Sequence, residues 1–213
     1  MIICPAQPFD IFQIMNIERQ SFIPKIQEKK RIFEKRLKIF PEGFLLLADC
    51  SDDVILKNKT ALICGYLCAE KWDSLPDFAN LDEKSEKLLK KRFSLSHNPA
   101  LTHKTNGSIL YVSSFALLKE YRGKGLGQKF FLNSLAALCA SHSEIKKVVL
   151  LVNEDWKNAR KIYEKIGFKE SYTLKDFFPT IQRKEYSDGT IMEAAVEIFK
   201  TIDFSKNENA IEI

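Results

Sequence analysis

The chain has 213 residues, 45% of them hydrophobic and 29% charged, and 33 Lys+Arg against 28 Asp+Glu give a formal net charge of +5. These values exclude a disordered or collagen-like chain and suit one domain with an elaborated edge. No apolar run reaches the roughly 20 residues a membrane-spanning helix needs, and the first ten residues lack the basic-then-apolar order of a secretory leader, so a cytoplasmic protein without a membrane partner is expected.

Taken in chain order, residues 2–4 read as a short strand stopped by Pro5. Phe9, Phe12, Ile14, Ile17 and Phe22 recur at helical spacing over 9–22, and a second helix over 25–40 sets Ile26, Ile32, Phe33, Leu37 and Phe40 among lysines and arginines. Much of the positive excess lies in this second segment, which reads as a solvated helix face, so no nucleic-acid partner is expected. Pro41-Glu42-Gly43 marks a turn, 44–48 a buried strand, 51–59 a polar hairpin loop and 60–69 the partner strand. Cys64 and Cys68 share a face of that strand. With Cys4, Cys50 and Cys139 they form no CxxC pair and have no His at ligand spacing, so packed, reduced thiols and no metal are expected.

Residues 72–106 carry Pro76, a charged helical run over 81–93 and two turn signals, and read as a long insertion over one end of a sheet. A strand over 108–118, a helix over 126–140, a strand over 147–152, a short helix over 156–166 and strands over 168–178 and 190–199 follow. The expected fold class is α/β, a central mixed β-sheet flanked by helices, with one domain over 1–204 and a frayed tail over 205–213.

Chemistry concentrates at Arg122-Gly123-Lys124-Gly125-Leu126-Gly127, between a strand and a helix. Alternating glycines let the backbone turn tightly and approach a ligand, and the following helix presents unpaired N–H groups there. Arg122 and Lys124 add mobile positive charge, and a diphosphate suits the turn. The Walker A spacing is absent, and G-x-G-x-G differs from the dinucleotide G-x-G-x-x-G. The acyl-CoA pattern R-x-x-G-x-G/A and a purely structural glycine turn remain open. Downstream, Ala159, Ile162, Tyr163 and Ile166 share one helix face, with Gly167 as the left-handed stop; taken alone, Tyr163 is a packed aromatic.

Together, Glu120-Tyr-Arg-Gly-Lys-Gly-Leu-Gly127 and Ala159-x-x-x-Tyr163-x-x-x-Gly167-Phe168 resemble the two core motifs of the GNAT superfamily of acetyl-CoA-dependent N-acetyltransferases. Ile17-Glu18-Arg19-Gln20-Ser21-Phe22, Pro41-Glu42-Gly43-Phe44 and Trp72 are similar to the arylalkylamine N-acetyltransferase branch. The resemblance implies a GNAT-like fold and acetyl-CoA as cosubstrate, without a metal. It implies that Arg122, Gly123, Lys124, Gly125, Leu126, Gly127 and Gln128 hold the pyrophosphate, that Phe115, Ala116 and Leu117 offer backbone groups to the pantetheine arm, and that Tyr163 faces the thioester sulfur.

The sequence departs from the family in two places. The Asn that many members carry seven residues before the tyrosine is Trp156 here, leaving Asn158 or Asn153 as substitutes. The branch's paired histidines fall at Ile109 and Tyr111, so Tyr111, Ser114 or a water they hold would relay the substrate proton. His97 and His103 read as solvated loop residues. The expected reaction is acetyl transfer to a primary amine of a small molecule by direct attack in a ternary complex, with the protein as monomer or homodimer. Phe22, Phe33, Phe40, Trp72 and Phe78 are expected to wall the acceptor site and to suit an acceptor with an apolar or aromatic body. The alternatives are a protein or peptide N-terminal or lysine acetyltransferase and a catalytically silent CoA-binding sensor.

Overall fold

In the computed structural model, the described residues are 1–51, 61–95, 97–181 and 185–200. The strands are β1 (Ile2–Pro5), β2 (Phe44–Asp49), β3 (Leu62–Trp72), β4 (Ile109–Leu117), β5 (Lys147–Asn153), β6 (Lys169–Pro179) and β7 (Tyr186–Ala195). The helices are α1 (Ile11–Ser21), α2 (Lys30–Ile39), α3 (Glu83–Phe93), α4 (Pro99–Thr102), α5 (Leu126–Ser141), α6 (Lys157–Ile166) and α7 (Glu197–Lys200). The strands form one mixed seven-stranded sheet in the order β1-β2-β3-β4-β5-β7-β6, the expected fold class. β4 and β5 are the parallel pair, joined by the crossover helix α5, and the other neighbours run antiparallel.

Two irregularities of the sheet create the site. Between β3 and β4 the register passes from Cys68↔Ser114 to Ala69↔Val112, so Ser113 is an extra residue in a β-bulge. One inserted residue resets the alternation of faces. Tyr111, Ser114 and Ala116 therefore share one face of the sheet, while Val112, Phe115 and Leu117 share the other. The parallel pairing of β4 with β5 runs from Ile109↔Lys147 to Val112↔Leu150 and stops, although β4 continues to Leu117 and β5 to Asn153. The strands diverge into a V.

Helix α5 packs Phe130 and Phe131 against Phe115 on one face, with ring centroids 5.6 and 5.1 Å apart. The insertion after β3 covers the other face at the closed end of the V. There Trp72 stacks on Tyr111 at 4.1 Å and meets Phe93 of α3 at 5.1 Å, above Ile109, Val149, Leu174 and Ile191.

Several expected boundaries move. The first helix starts as a 3-10 turn at Pro8–Asp10, and the stripe it buries is Ile11, Ile14, Ile17 and Glu18; Phe9 and Phe12, counted in the apolar helical spacing, are 80% and 78% exposed. The second helix is shorter than 25–40, because Pro24–Ile26 forms a separate 3-10 turn and Gln27 and Lys29 are extended before α2 begins. Its expected solvated face is interrupted by Arg36, which is buried, as is Glu28 just before the helix. The last strand ends at Ala195, and Glu197–Lys200 is helical. The hairpin loop expected over 51–59, Ser51 apart, and the tail over 205–213 lie outside the described residues. Among those residues no helix is long and apolar enough to cross a membrane.

Candidate active site

At the C-terminal end of β4 the chain enters the glycine turn. Gly123 and Gly125 adopt φ of +80° and +73°, left-handed conformations that glycine takes at low cost. A Cβ at either would meet nothing within 4 Å, so the turn has an open side. Gly125 caps α5, whose first intrahelical bond is Lys129 N–H to Gly125 O at 3.1 Å, leaving the amides of Leu126, Gly127 and Gln128 without intrahelical acceptors. Gly127 lies behind Leu117 of β4, 3.8 Å from the leucine methyls by its would-be Cβ. An open left-handed turn at the start of a sixteen-residue helix suits a diphosphate.

Arg122 plays a different part from the one expected. Its Nε donates to Leu117 O at 2.8 Å and its Nη2 to Ser21 Oγ at 2.8 Å. The guanidinium is thus no mobile charge but a pin between the turn, the end of β4 and the end of α1. Lys124 is exposed.

The V between β4 and β5 holds a narrow cleft of about 90 Å³. Tyr111, Ser114, Phe115 and Tyr163 all line it, so four sequence-selected residues meet there. Tyr163 packs on Phe131 at 5.2 Å and Phe168 at 5.9 Å, and its hydroxyl has no hydrogen-bond partner among the described residues. Burial pushes this phenol above its ordinary pKa and keeps it protonated. Trp156, at the position of the family asparagine, is wedged between Phe22 at 5.6 Å and Phe178 at 5.7 Å. Asn153 is occupied by Asp155 N–H at 2.9 Å and Ser187 Oγ at 3.0 Å, while Asn158 is exposed on the first turn of α6.

The sequence reading passed over the cleft's buried carboxylates. Glu18 of α1 is 1% exposed and lines the cleft. Its Oε1 accepts from Glu28 N–H at 2.6 Å, and its Oε2 accepts a short bond from the Tyr66 hydroxyl. Tyr66 Oη also lies 2.9 Å from Ser114 Oγ. Since Tyr66 gives its one hydrogen to Glu18, Ser114 is the donor in that pair and keeps lone pairs for a group in the cleft. Burial raises Glu18 from 4.5 to about 7, against the lowering effect of Tyr66 and Glu28 N–H.

Beside this chain lies a second buried network. Arg36 bridges Glu28 Oε2 at 3.0 Å and Glu70 Oε1 at 3.2 Å. Glu70 also accepts from His97 Nε2 at 2.7 Å, Trp72 Nε1 at 3.2 Å and Thr102 Oγ1 at 2.7 Å, and these bonds with Arg36 hold its pKa down at about 2 despite burial. His97 is therefore a buried link between the insertion and β3, not a solvated loop residue. His103 also departs from that reading, accepting Lys71 N–H at 3.2 Å beside Phe40. Of the aromatics expected to wall the acceptor, Phe22 alone lines the cleft; Phe33, Phe40 and Trp72 are core, and Phe78 stacks on Tyr172.

Residues 94–170 match the family model described as the Acetyltransferase (GNAT) domain. Solved structures share the fold over nearly the whole chain. The loading GNATL domain of CurA from Lyngbya majuscula superposes with TM-score 0.68 at 16% identity, covering 92% of this chain and 97% of that one. The ribosomal-protein-S18-alanine N-acetyltransferase from Escherichia coli gives 0.61 at 13% identity, covering 97% and 96%. Arabidopsis thaliana NAA60 in complex with acetyl-CoA gives 0.61 at 16%, covering 92% and 98%. The matched segment carries both motifs of the sequence resemblance, and the solved structures share the fold across the rest of the chain.

Proposed function

We propose that this chain transfers the acetyl group of acetyl-CoA to the primary amine of a small molecule, by direct attack in a ternary complex. The observation that carries the reading is the V between β4 and β5, with an open glycine turn beyond one strand and Glu18, Ser114 and Tyr163 lining its interior. Leu126, Gly127 and Gln128 would hold the pyrophosphate through their amides, with Gly123, Lys124 and Gly125 shaping the turn. Phe115, Ala116 and Leu117 would pair with the pantetheine arm where β5 has left β4. The thioester supplies an activated acyl group and a thiolate leaving group.

An amine must be neutral to attack. Ser114 can accept its proton while passing its own to Tyr66, which passes its own to Glu18, so one proton moves along three bonded groups. A carboxylate near pKa 7 is matched to this task, and such general-base assistance typically contributes about 10²–10⁴-fold. Tyr163, protonated and with its hydroxyl unspent, can donate to the departing sulfur. Positioning of amine against thioester would supply most of the remaining rate. Tyr111, stacked beneath Trp72, forms the floor of the cleft and has no part in the relay.

A small acceptor is favoured over a polypeptide by one contact. Lys25, between α1 and α2, donates its Nζ to Thr180 O beyond β6 at 2.8 Å, tying together two segments of the acceptor side that an extended polypeptide would have to pass. The test is calorimetry with CoA followed by thiol-release assays with aryl-alkylamines, polyamines, aminoglycosides and peptide N-termini. Binding of CoA and turnover of a small amine are expected. Turnover of peptides alone would replace the acceptor class, and no heat with CoA would remove the reading.

A further inference from the structure

We propose that the amine acceptor carries an anionic group, a carboxylate or phosphate, on the part of its body remote from the amine; this rests on the acetyl-transfer reading above. A cavity of about 600 Å³ opens beside the reaction cleft, between the segment leading into α2, the end of α3 and the end of β6. It shares Ile26, Glu28, Leu95, Phe177 and Phe178 with that cleft, so the two adjoin. No residue of the glycine turn lines it, which separates it from the place assigned to the CoA diphosphate.

The charge of this cavity is one-sided. Lys25, Lys29, Arg31, Lys90 and Lys91 line it, against Glu28 and Asp176. Glu28 is buried and shares Arg36, at 3.0 Å, with Glu70, and Lys90 is offset by Glu86 at 3.1 Å. Lys29, Arg31 and Lys91 have no ion-pair partner among the described residues, and only Asp176 opposes them on the lining. Low-dielectric walls such as Ile32, Leu95, Phe177 and Phe178 concentrate the field of such charges on a bound ligand. The buried carboxylate Glu18 lines the adjoining cleft, so an acceptor with its amine there and its anion in the cavity meets complementary groups at both ends.

The experiment compares matched amines: benzylamine with 4-(aminomethyl)benzoate, and tyramine with its phenyl phosphate ester. The wild type is expected to favour the anionic member of at least one pair by about ten-fold in kcat/KM, mostly through KM, with the preference shrinking as salt rises. Which pair shows it distinguishes carboxylate from phosphate. Lys29→Glu combined with Lys91→Glu is expected to abolish the preference through KM, while kcat for benzylamine and tyramine, which lack the anion, stays near the wild-type value. Equal kcat/KM within both pairs, or a preference that survives the double reversal, would overturn the proposal and leave acetyl transfer standing. Turnover of none of the four amines by CoA-bound protein would overturn this proposal and leave the small-amine reading to the wider screen above.

Discussion

Ser114 Oγ lies 2.9 Å from the hydroxyl of Tyr66, a residue 48 positions earlier in the chain, and Tyr66 in turn bonds Glu18. The bulge at Ser113 makes this contact possible. In an unbroken strand, Tyr111 and Ser114 would point to opposite faces. With one residue inserted, both face the helices α1 and α2, and Ser114 reaches the carboxylate network.

Glu18→Gln keeps the shape and removes the proton acceptor. It is expected to lower kcat by about 10²-fold or more with CoA affinity unchanged. In the wild type, kcat should rise with pH through about 7 as Glu18 loses its proton, and the variant should lack that limb. A pH–rate profile of the two proteins checks this, and an unchanged limb in Glu18→Gln would assign it to another group. Ser114→Ala should reproduce part of the loss, since a water can replace the missing hydroxyl.

Tyr163→Phe removes one oxygen from a ring that keeps its packing on Phe131 and Phe168. A ten-fold or greater fall in kcat with little change in CoA affinity is expected. A thiol whose leaving is intrinsically easier should narrow the gap, because it needs the phenol less. Steady-state kinetics with acetyl-CoA and calorimetry with CoA separate the two effects, and unchanged kcat would take Tyr163 out of the reaction.

Gly125→Val tests the turn. The position has φ +73°, which a β-branched residue adopts only under strain, and its added side chain would project into the open side where a diphosphate approaches. CoA affinity should fall strongly, while circular dichroism reports the fold retained. Wild-type affinity in a folded variant would place the cofactor elsewhere.

The sequence carried the architecture and part of the candidate site. Alternating apolar runs and turn signals located the strands and helices, and the spacing of Gly123, Gly125, Tyr163 and Gly167 located the turn and the phenol, because these depend on local backbone geometry. Glu18, Glu28, Arg36 and Glu70 were not legible, since burial of a charge is decided by what folds over it. One signal was present: Glu18 follows Ile11, Ile14 and Ile17 on the inward stripe of α1, where a carboxylate is out of place unless it is used. Phe9 and Phe12 misled for the opposite reason, being apolar yet on the outward side.

Removing Arg36 should expose the cost of the second network. Arg36→Ala would leave the buried carboxylates of Glu28 and Glu70 without their shared cation, and destabilisation of about 3–5 kcal/mol is expected. Arg36→Ala combined with Glu28→Gln should recover part of it. Denaturant unfolding of the three proteins measures both steps, and a loss below about 1 kcal/mol would mean that water reaches the site.

Glu18 also makes stability depend on pH, with a sign opposite to that of a salt-bridged acid. Its folded pKa is about 7 against an ordinary 4.5, so the folded state holds the proton more tightly than the unfolded one. The stabilising effect is fully present below pH 4.5 and is lost as pH rises through 7, amounting to about 3 kcal/mol at most. Glu18→Gln cannot lose a proton. The unfolding free energy of the wild type should therefore drop relative to the variant between pH 5 and pH 8, and parallel curves would show that water or rearrangement solvates Glu18.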